Sequence, residues 1–532
     1  MGIEVRTTGT ISDTGPPNAR RLAIRAALLF TAAMSSACAL PDLDGLALSV
    51  ASTAAKTADT VLGQAIGPRT EEHPGKNGVH VLGNPRESFA VRALLARSAE
   101  RTLDVQYYIW HDDITGRLLL QALREAADRG VRVRLLLDDN GIGGMDDKLA
   151  ALDALDNLEI RLFNPFPTRR FKRLGYVVDF ERLNRRMHSK SFTADSQAAV
   201  VGGRNVGDEY FGATAGILKA DMDIMLVGPI VDEISTDFDK YWSSGSAYPV
   251  DRLMTALEPD ERESVLASIA AIVDDPASTT YLNEIERTPL VESLGNQQLE
   301  LLWADVHMVT DDPAKGLGAL EGDELLINQL DEVLDAPRKS VVLVSPYFVP
   351  GSEGTEIFAS LARSGVDVRI LTNALEATDV IAVHAGYAKR RKALLEAGVR
   401  LYEMQRLSKE TKRNKSAGPF GSSASSLHAK TFAIDGERTF VGSFNLDPRS
   451  ISLNTELGFI VDSPELASEV ESAFDGGIPE RAYEVHLDED GDLYWLDRRG
   501  EDIVRLDSEP ETGWFKHGAV TVLGWLPIEW ML

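Results

Sequence analysis

The sequence predicts an α/β protein built from one unit used twice. Three observations carry this. A strand–helix–strand pattern occurs in two places, a His-x-Lys motif follows each at the same spacing, and 532 residues exceed one ordinary domain. The composition, 44% hydrophobic and 26% charged, supplies a sizeable core and excludes wholesale disorder. The net charge of −27 argues against a general nucleic-acid coat protein. It also opposes adsorption to anionic lipid unless charge is locally segregated. A single cysteine, Cys38, excludes an intrachain disulfide and any cysteine-rich zinc site.

The amino terminus, 1–40, reads as an export signal. Arg20, Arg21 and Arg25 precede an uncharged stretch, Ala26 to Ala37, which is too short to span a bilayer. It ends in Ser35, Ser36 and Ala37 before Cys38. That run resembles a bacterial lipobox, in which the cysteine is lipidated; Ser35 stands where an aliphatic residue is usual. A plain signal peptide or uncleaved anchor is the other reading. Residues 41–78 lack strong periodicity and read as a tether with one short helix.

The repeat occupies 79–295 and 296–480. TLDVQYYIW (102–110) is followed by LLLQALREAADRGVRVRLLLDD (118–139). SVVLVSPYFV (340–349) is followed by EIFASLARSGVDVRILTN (356–373). In each copy a β-branched and aromatic run reads as a buried strand. A helix of period near 3.6 follows, stopped by Gly130 or Gly365, and a second apolar strand comes next. That is a parallel unit with a right-handed crossover. Residues 481–532 form a carboxyl-terminal extension, and its tail, Trp525 to Leu532, suits a membrane interface or packing on the body.

Downstream, each copy carries H-x-K-x4-D-x6-G-[GS]-x-N. The first is His188, Lys190, Asp195, Gly202, Gly203 and Asn205. The second is His428, Lys430, Asp435, Gly442, Ser443 and Asn445. The flanking KSFTAD and KTFAID alternate like strands, so histidine and lysine share one face. Asp195 and Asp435 fall at hairpin turns. They are candidates for the catalytic set, although an aspartate at a turn more often makes local hydrogen bonds. The glycine corner is expected to let backbone and asparagine amide approach an anion. Two lysines (Lys190, Lys430) and two asparagines (Asn205, Asn445) can hold phosphate oxygens. Two histidines permit a nucleophile and a general acid, in interchangeable roles.

A histidine nucleophile needs its other ring nitrogen fixed by an acceptor. Half by half, Glu456 opens the strand LGFIV, and Asp221 and Asp223 open IMLVG. Asp221 aligns best with Glu456. Two basic segments precede the histidine motifs. One runs from Asn164 to Lys190 at +6, interleaved with Phe163, Phe166, Phe171, Tyr176 and Phe180, and the other from Arg406 to Lys415 at +4. They read as loops at the site mouth that meet anionic headgroups.

The doubled motif resembles the signature of the phospholipase D superfamily. LDVQYYIWHDD (103–113), LNRRMHSKSFTAD (183–195), VGGRNVGDEYF (201–211), VGSFNLDPRS (441–450) and GWLPIEWML (524–532) look most like bacterial cardiolipin synthases of the C type. The resemblance implies two α/β/α sandwich halves with pseudo-twofold symmetry and the active site at their interface. It implies no metal and no cofactor. It also implies ping-pong phosphatidyl transfer through a phosphohistidine on His188, with His428 as acid and base. Partners would be a membrane surface and phospholipids: phosphatidylglycerol, with phosphatidylethanolamine as a second candidate. The place would be the bacterial cell envelope, with Cys38 as the lipidation site. Hydrolysis by the same residues is the alternative. A phosphodiesterase or nuclease is opposed by export, the acidic body and the tail, so no nucleic-acid partner is expected. A non-enzymatic lipid scaffold would leave both motifs idle.

Overall fold

The computed structural model describes residues 40–46, 49–214, 218–295, 299–320, 322–378, 380–406, 427–500 and 502–513, and positions 516, 518, 520, 522 and 523. The export segment with Cys38, most of the second basic segment and the tail 524–532 lie outside the described residues.

The first half contributes β1 (Asn77–Leu82), β2 (Thr102–Ile109), β3 (Arg132–Gly141), β4 (Leu158–Phe163), β5 (Ser191–Ala194), β6 (Ala198–Gly202), β7 (Asp223–Val227) and β8 (Ala247–Pro249). The second contributes β9 (Leu302–Thr310), β10 (Ser340–Val344), β11 (Asp367–Asn373), β12 (Arg400–Met404), β13 (Thr431–Ile434), β14 (Arg438–Gly442), β15 (Leu457–Asp462) and β16 (Ala482–Leu487), and then the hairpin β17 (Leu493–Arg499) and β18 (Asp502–Leu506).

Pairing runs 8-4-3-2-5-6-7-1 in the first half. It runs 16-12-11-10-13-14-15-9 in the second. The orders match strand for strand, with β2-β3-β4 and β10-β11-β12 parallel and the rest antiparallel. The equivalent strands β1 and β9 pair with each other antiparallel, Gly78 opposite Trp303, so the two sheets join edge to edge. Two copies of one unit meeting through the same strand, run in opposite directions, is the relationship a twofold axis generates.

The crossover helices follow the reading closely. Asp113 caps the helix Ile114–Asp128, accepting from Gly116 N at 3.0 Å, and Gly130 leaves it at φ +90°. The second-half helix, Gly351–Arg363, ends before Gly365 at φ +97°. Both bury an apolar stripe against their sheets. A further apolar cluster crosses the join. It unites Val79, Val201, Ile224 and Leu226 of the first half with Val306, Leu457, Phe459 and Val461 of the second. Each such side chain contributes about 1.5–3 kcal/mol on burial. The halves are therefore held by core packing, which keeps the seam fixed.

Two expected boundaries shift. The stretch read as a tether is laid down on the first half. Its backbone donates from Ala51 to Asp239 (2.8 Å) and from Ala54 to Asp232 (2.9 Å), and the helix Val61–Glu71 follows. The side chains that hold it, Asp232 and Asp239, lie far along the chain, so local composition could not show the docking. The carboxyl-terminal extension is also less separate than its number suggests. β16, at its start, is the counterpart of β8 and completes the second sheet along β12.

Candidate active site

The two halves cross at the histidines. Met187 and Thr455 form a parallel bridge, as do Ala220 and Leu427. His188 N donates to Thr455 O (2.9 Å), and His428 N donates to Ala220 O (2.8 Å). The residue after each bridge partner is the carboxylate: Glu456 follows Thr455, and Asp221 follows Ala220. Glu456 Oε2 therefore lies 2.7 Å from His188 Nδ1, and Asp221 Oδ2 lies 2.6 Å from His428 Nδ1. Each histidine is thus served by the carboxylate of the other half. Half-by-half pairing is corrected here, because the bridges that exchange the partners form only when the two units meet. Asp223, the alternative to Asp221, is buried in an ion pair with Arg92 at 2.8 Å.

A carboxylate accepts and cannot donate, so these contacts place the Nδ1 proton toward the acid and leave Nε2 for chemistry. Both rings line one cavity of about 300 Å³, with Asn205, Asn445, Tyr108, Tyr210, Lys219 and Arg449 also on its wall. Tyr108 meets the His188 ring edge-on at 5.0 Å, and Tyr210 meets His428 at 5.1 Å. Lys190 and Lys430 are buried behind the histidines, each donating to the carbonyl of its own motif histidine. They are not on the cavity wall.

Burial dominates the electrostatics. It pushes His188 down to about 4, with Glu456 only partly opposing. It also holds His428 well below its ordinary value, and Lys430 and Lys219 add to that. Burial lowers Lys430 to about 8 and moves Lys190 in the same direction. Burial would raise Glu456, but His188 and Lys190 outweigh it and keep the carboxylate ionised. Two imidazoles kept neutral by burial thus face a cavity whose wall carries the cations Lys219 and Arg449.

The glycine corners also serve the carboxylates. A Cβ on Gly203 would sit 2.3 Å from Asp221 Oδ1. In the second half the same position is Ser443, whose Oγ donates to Glu456 Oε2 at 2.6 Å. The corner makes room for, or holds, the carboxylate behind the opposite histidine.

The motif aspartates leave the site. Asp195 accepts from the backbone N–H groups of Glu100, Arg101 and Thr102 at 2.8–3.0 Å. Asp435 does the same for Arg338, Lys339 and Ser340 at 2.7–3.0 Å. Both sit in the left-handed region, at φ +50° and +57°, at the end of β5 or β13 away from the histidine. They pin each hairpin to the start of β2 or β10, and their place in the catalytic set is corrected accordingly.

The first basic segment is also corrected. Arg169 and Lys172 reach buried Asp139, Arg186 reaches buried Asp138, and Arg182 reaches Asp179. Three of its eight cations, Arg169, Lys172 and Arg186, are matched by acids that lie outside the segment. Lys219 and Arg449 were absent from the sequence reading. Lys219 lies 3.3 Å from Tyr210 Oη and two residues before Asp221, and that proximity was the available signal. Among the described residues, His111, Asp113 and Glu209 could offer metal ligands within 4.8 Å of one another. Asp113 is engaged as a helix cap, however, and Glu209 lies 3.3 Å from His111.

Residues 93–242 and 330–477 both match the family model described as "Cardiolipin synthase, PLD-like domain", which makes the molecule an enzyme of the phospholipase D type. Cardiolipin synthase C of Escherichia coli strain K12 is 44% identical over 471 residues, 88% of this chain and 99% of that protein. The chain belongs to the cardiolipin synthase family of phosphatidyltransferases. An uncharacterised protein of Helicobacter pylori strain J99 is 31% identical over 77% of this chain and 81% of its own length. Cardiolipin synthase A of Pseudomonas syringae pv. syringae strain B728a is 26% identical over 81% and 74%.

Proposed function

We propose that this chain joins two phospholipids into cardiolipin by ping-pong phosphatidyl transfer, with phosphatidylglycerol as donor. His188 Nε2 attacks the phosphodiester phosphorus. The bond from phosphorus to the leaving glycerol oxygen breaks, and His428 delivers a proton to that oxygen. The hydroxyl of the second phospholipid then gives its proton to His428 as its oxygen attacks phosphorus. The phosphorus–nitrogen bond breaks and both histidines are restored. Asn205 and Asn445 bind phosphate oxygens from the wall, and the ammonium groups of Lys190 and Lys430 offset the charge gained in the transition state. The bound phosphodiester supplies the negative charge that lets His428 carry its proton despite burial.

The observation that carries this reading is the crossed pair of histidine–carboxylate contacts on one cavity. Each leaves an Nε2 available, and two such nitrogens are what a covalent intermediate with a separate acid requires. Purified full-length protein incubated with labelled phosphatidylglycerol, with and without phosphatidylethanolamine, tests it. Cardiolipin is the expected product, and phosphatidic acid alone would replace transfer with hydrolysis. The amino-terminal segment is proposed to hold the enzyme at the cell envelope through lipid on Cys38. Palmitate label retained in Cys38→Ser would overturn that attachment. Among the described residues no helix is long and apolar enough to cross a membrane.

A further inference from the structure

The segment first read as a basic mouth loop has five of its eight cations held in ion pairs, and it presents a cluster of apolar side chains to solvent. Within ten residues, Phe171, Leu174, Val177, Val178 and Phe180 are exposed, from 42% for Phe180 to 82% for Val177. Elsewhere the exposed large apolar residues among those described stand far apart in sequence. Clustering of this kind marks an interaction surface.

The element that carries them is built to stay out. Lys172–Val178 is a seven-residue helix, about 10 Å long. Its inner face is Gly175, where an added Cβ would meet Leu183 at 2.9 Å and Phe166 at 3.2 Å, and Tyr176, whose Oη donates to Asn140 at 3.2 Å. Its foot is clamped. Lys172 Nζ lies 2.8 Å from Asp139, and Arg169 Nε lies 2.9 Å from Asp146. Burial alone would raise the Asp139 carboxyl, but Lys172 and Arg169 outweigh it and hold it at about 2. The helix therefore cannot roll its outer face inward without breaking a buried ion pair, which is strongly unfavourable.

The outer face is continuous with the catalytic cavity. Tyr176 and Phe180 line that cavity, while Leu174, Val177 and Val178 stand on the same short segment facing solvent. Arg170 lies 5.7 Å from the Phe171 ring, a cation at the edge of the apolar face. A short apolar helix with a basic flank at the cavity mouth fits the headgroup–acyl boundary of a bilayer.

We propose that Phe171–Phe180 is an apolar wedge that enters a phospholipid bilayer and sets the cavity mouth at headgroup level. The choice of occupant rests on the proposed phospholipid chemistry. The wedge replaces charge attraction as the local means of engagement, which suits a chain of net charge −27.

The single native cysteine makes the test direct. Full-length Cys38→Ser protein carrying Val177→Cys is labelled with an environment-sensitive fluorophore and mixed with vesicles of phosphatidylglycerol and phosphatidylcholine. Emission at position 177 is expected to rise and shift to the blue. The same label at exposed Ile503 (Ile503→Cys), on β18, is expected to stay unchanged. In parallel, Val177→Asp is expected to lower transfer from vesicular phosphatidylglycerol about tenfold, the effect of losing one buried valine. It should leave transfer from monomeric short-chain phosphatidylglycerol unaltered. An unresponsive label at 177, equal responses at 177 and 503, or a shift that depends on protein concentration without vesicles would each overturn the wedge. Vesicle response at 177 with no phosphatidyl transfer from either substrate would support the wedge and overturn the proposed reaction instead.

Discussion

Glu456 Oε2 lies 2.7 Å from Nδ1 of His188, 268 residues earlier in the chain. Asp221 stands in the same relation to His428 at 2.6 Å. Neither half owns a complete histidine–carboxylate pair, so the catalytic unit exists only when the halves are docked. A carboxylate behind a histidine fixes its tautomer and steadies its developing charge. Glu456→Gln keeps the shape and removes the charge. Transfer is expected to fall about 10²-fold or more, with the unfolding temperature little changed. Asp221→Asn should slow the same reaction at the other histidine. With labelled phospholipid in a rapid quench, Glu456→Gln delays the appearance of covalent label on the protein. Asp221→Asn delays its disappearance, and the reverse pattern would exchange the roles of the two histidines.

Gly203→Ala should resemble Asp221→Asn without touching a titratable group. The new Cβ would fall 2.3 Å from Asp221 Oδ1, a separation that forces the carboxylate away from His428. Turnover is expected to drop by about the 10–100-fold typical of a lost carboxylate partner. An active Gly203→Ala enzyme would show that Asp221 can serve His428 from a shifted position. Ser443→Ala is the milder counterpart, since it removes the 2.6 Å donor to Glu456 and leaves the carboxylate in place.

How much of this was legible in the sequence follows from range. The crossover units were, because a strand, a helix of period 3.6 and the glycines Gly130 and Gly365 are local signals. So were His188, His428, Asn205 and Asn445, because a doubled motif needs no geometry to be seen. Glu456 and Asp221 could be picked out as strand-opening carboxylates, but their exchange between halves depends on the bridges Met187–Thr455 and Ala220–Leu427. Charge counting along 164–190 misled for the same reason. Asp138 and Asp139 lie in β3, 30 to 48 residues upstream, and they take up Arg186, Arg169 and Lys172. The docking of residues 49–57 was hidden in Asp232 and Asp239, which look like ordinary surface acids of a helix until the fold brings the amino-terminal segment onto them.

Lys430 gives the site a pH dependence whose sign can be worked out. Burial lowers its ammonium to about 8, so it is charged below that pH and neutral above it. Loss of that charge weakens the hold on any anion. Sulfate, whose own charge is constant over this range, is a clean probe of the effect. Calorimetric affinity should fall as pH rises through about 8 in the native enzyme. In Lys430→Met it should be lower throughout and flat across the same interval. A native profile that is flat from pH 7 to 9 would show that Lys430 stays charged or does not sense the anion.

The motif aspartates should separate stability from chemistry. Asp195 is fully buried and accepts three backbone N–H groups that begin β2. Asp195→Asn loses the charge and can satisfy at most part of that set, leaving a buried donor unpaired. The expected cost is about 2 kcal/mol, read by denaturant titration. Asp435 is partly exposed, so Asp435→Asn should destabilise less. Burial is the largest single influence and would raise the Asp435 carboxyl, but the backbone donors of Lys339, Ser340 and Arg338 together outweigh it and hold it below the ordinary carboxylate range. A carboxyl lowered on folding contributes stability that is present above its unfolded value, about 3.9, and is lost as pH falls through the lower folded value. The native enzyme should therefore show an acid-side loss of stability that Asp435→Asn lacks. Neither aspartate reaches the cavity, so the folded fraction of each variant should transfer phosphatidyl groups at close to the native rate. A hundredfold loss of turnover in a fully folded Asp195→Asn protein would return that residue to the catalytic set.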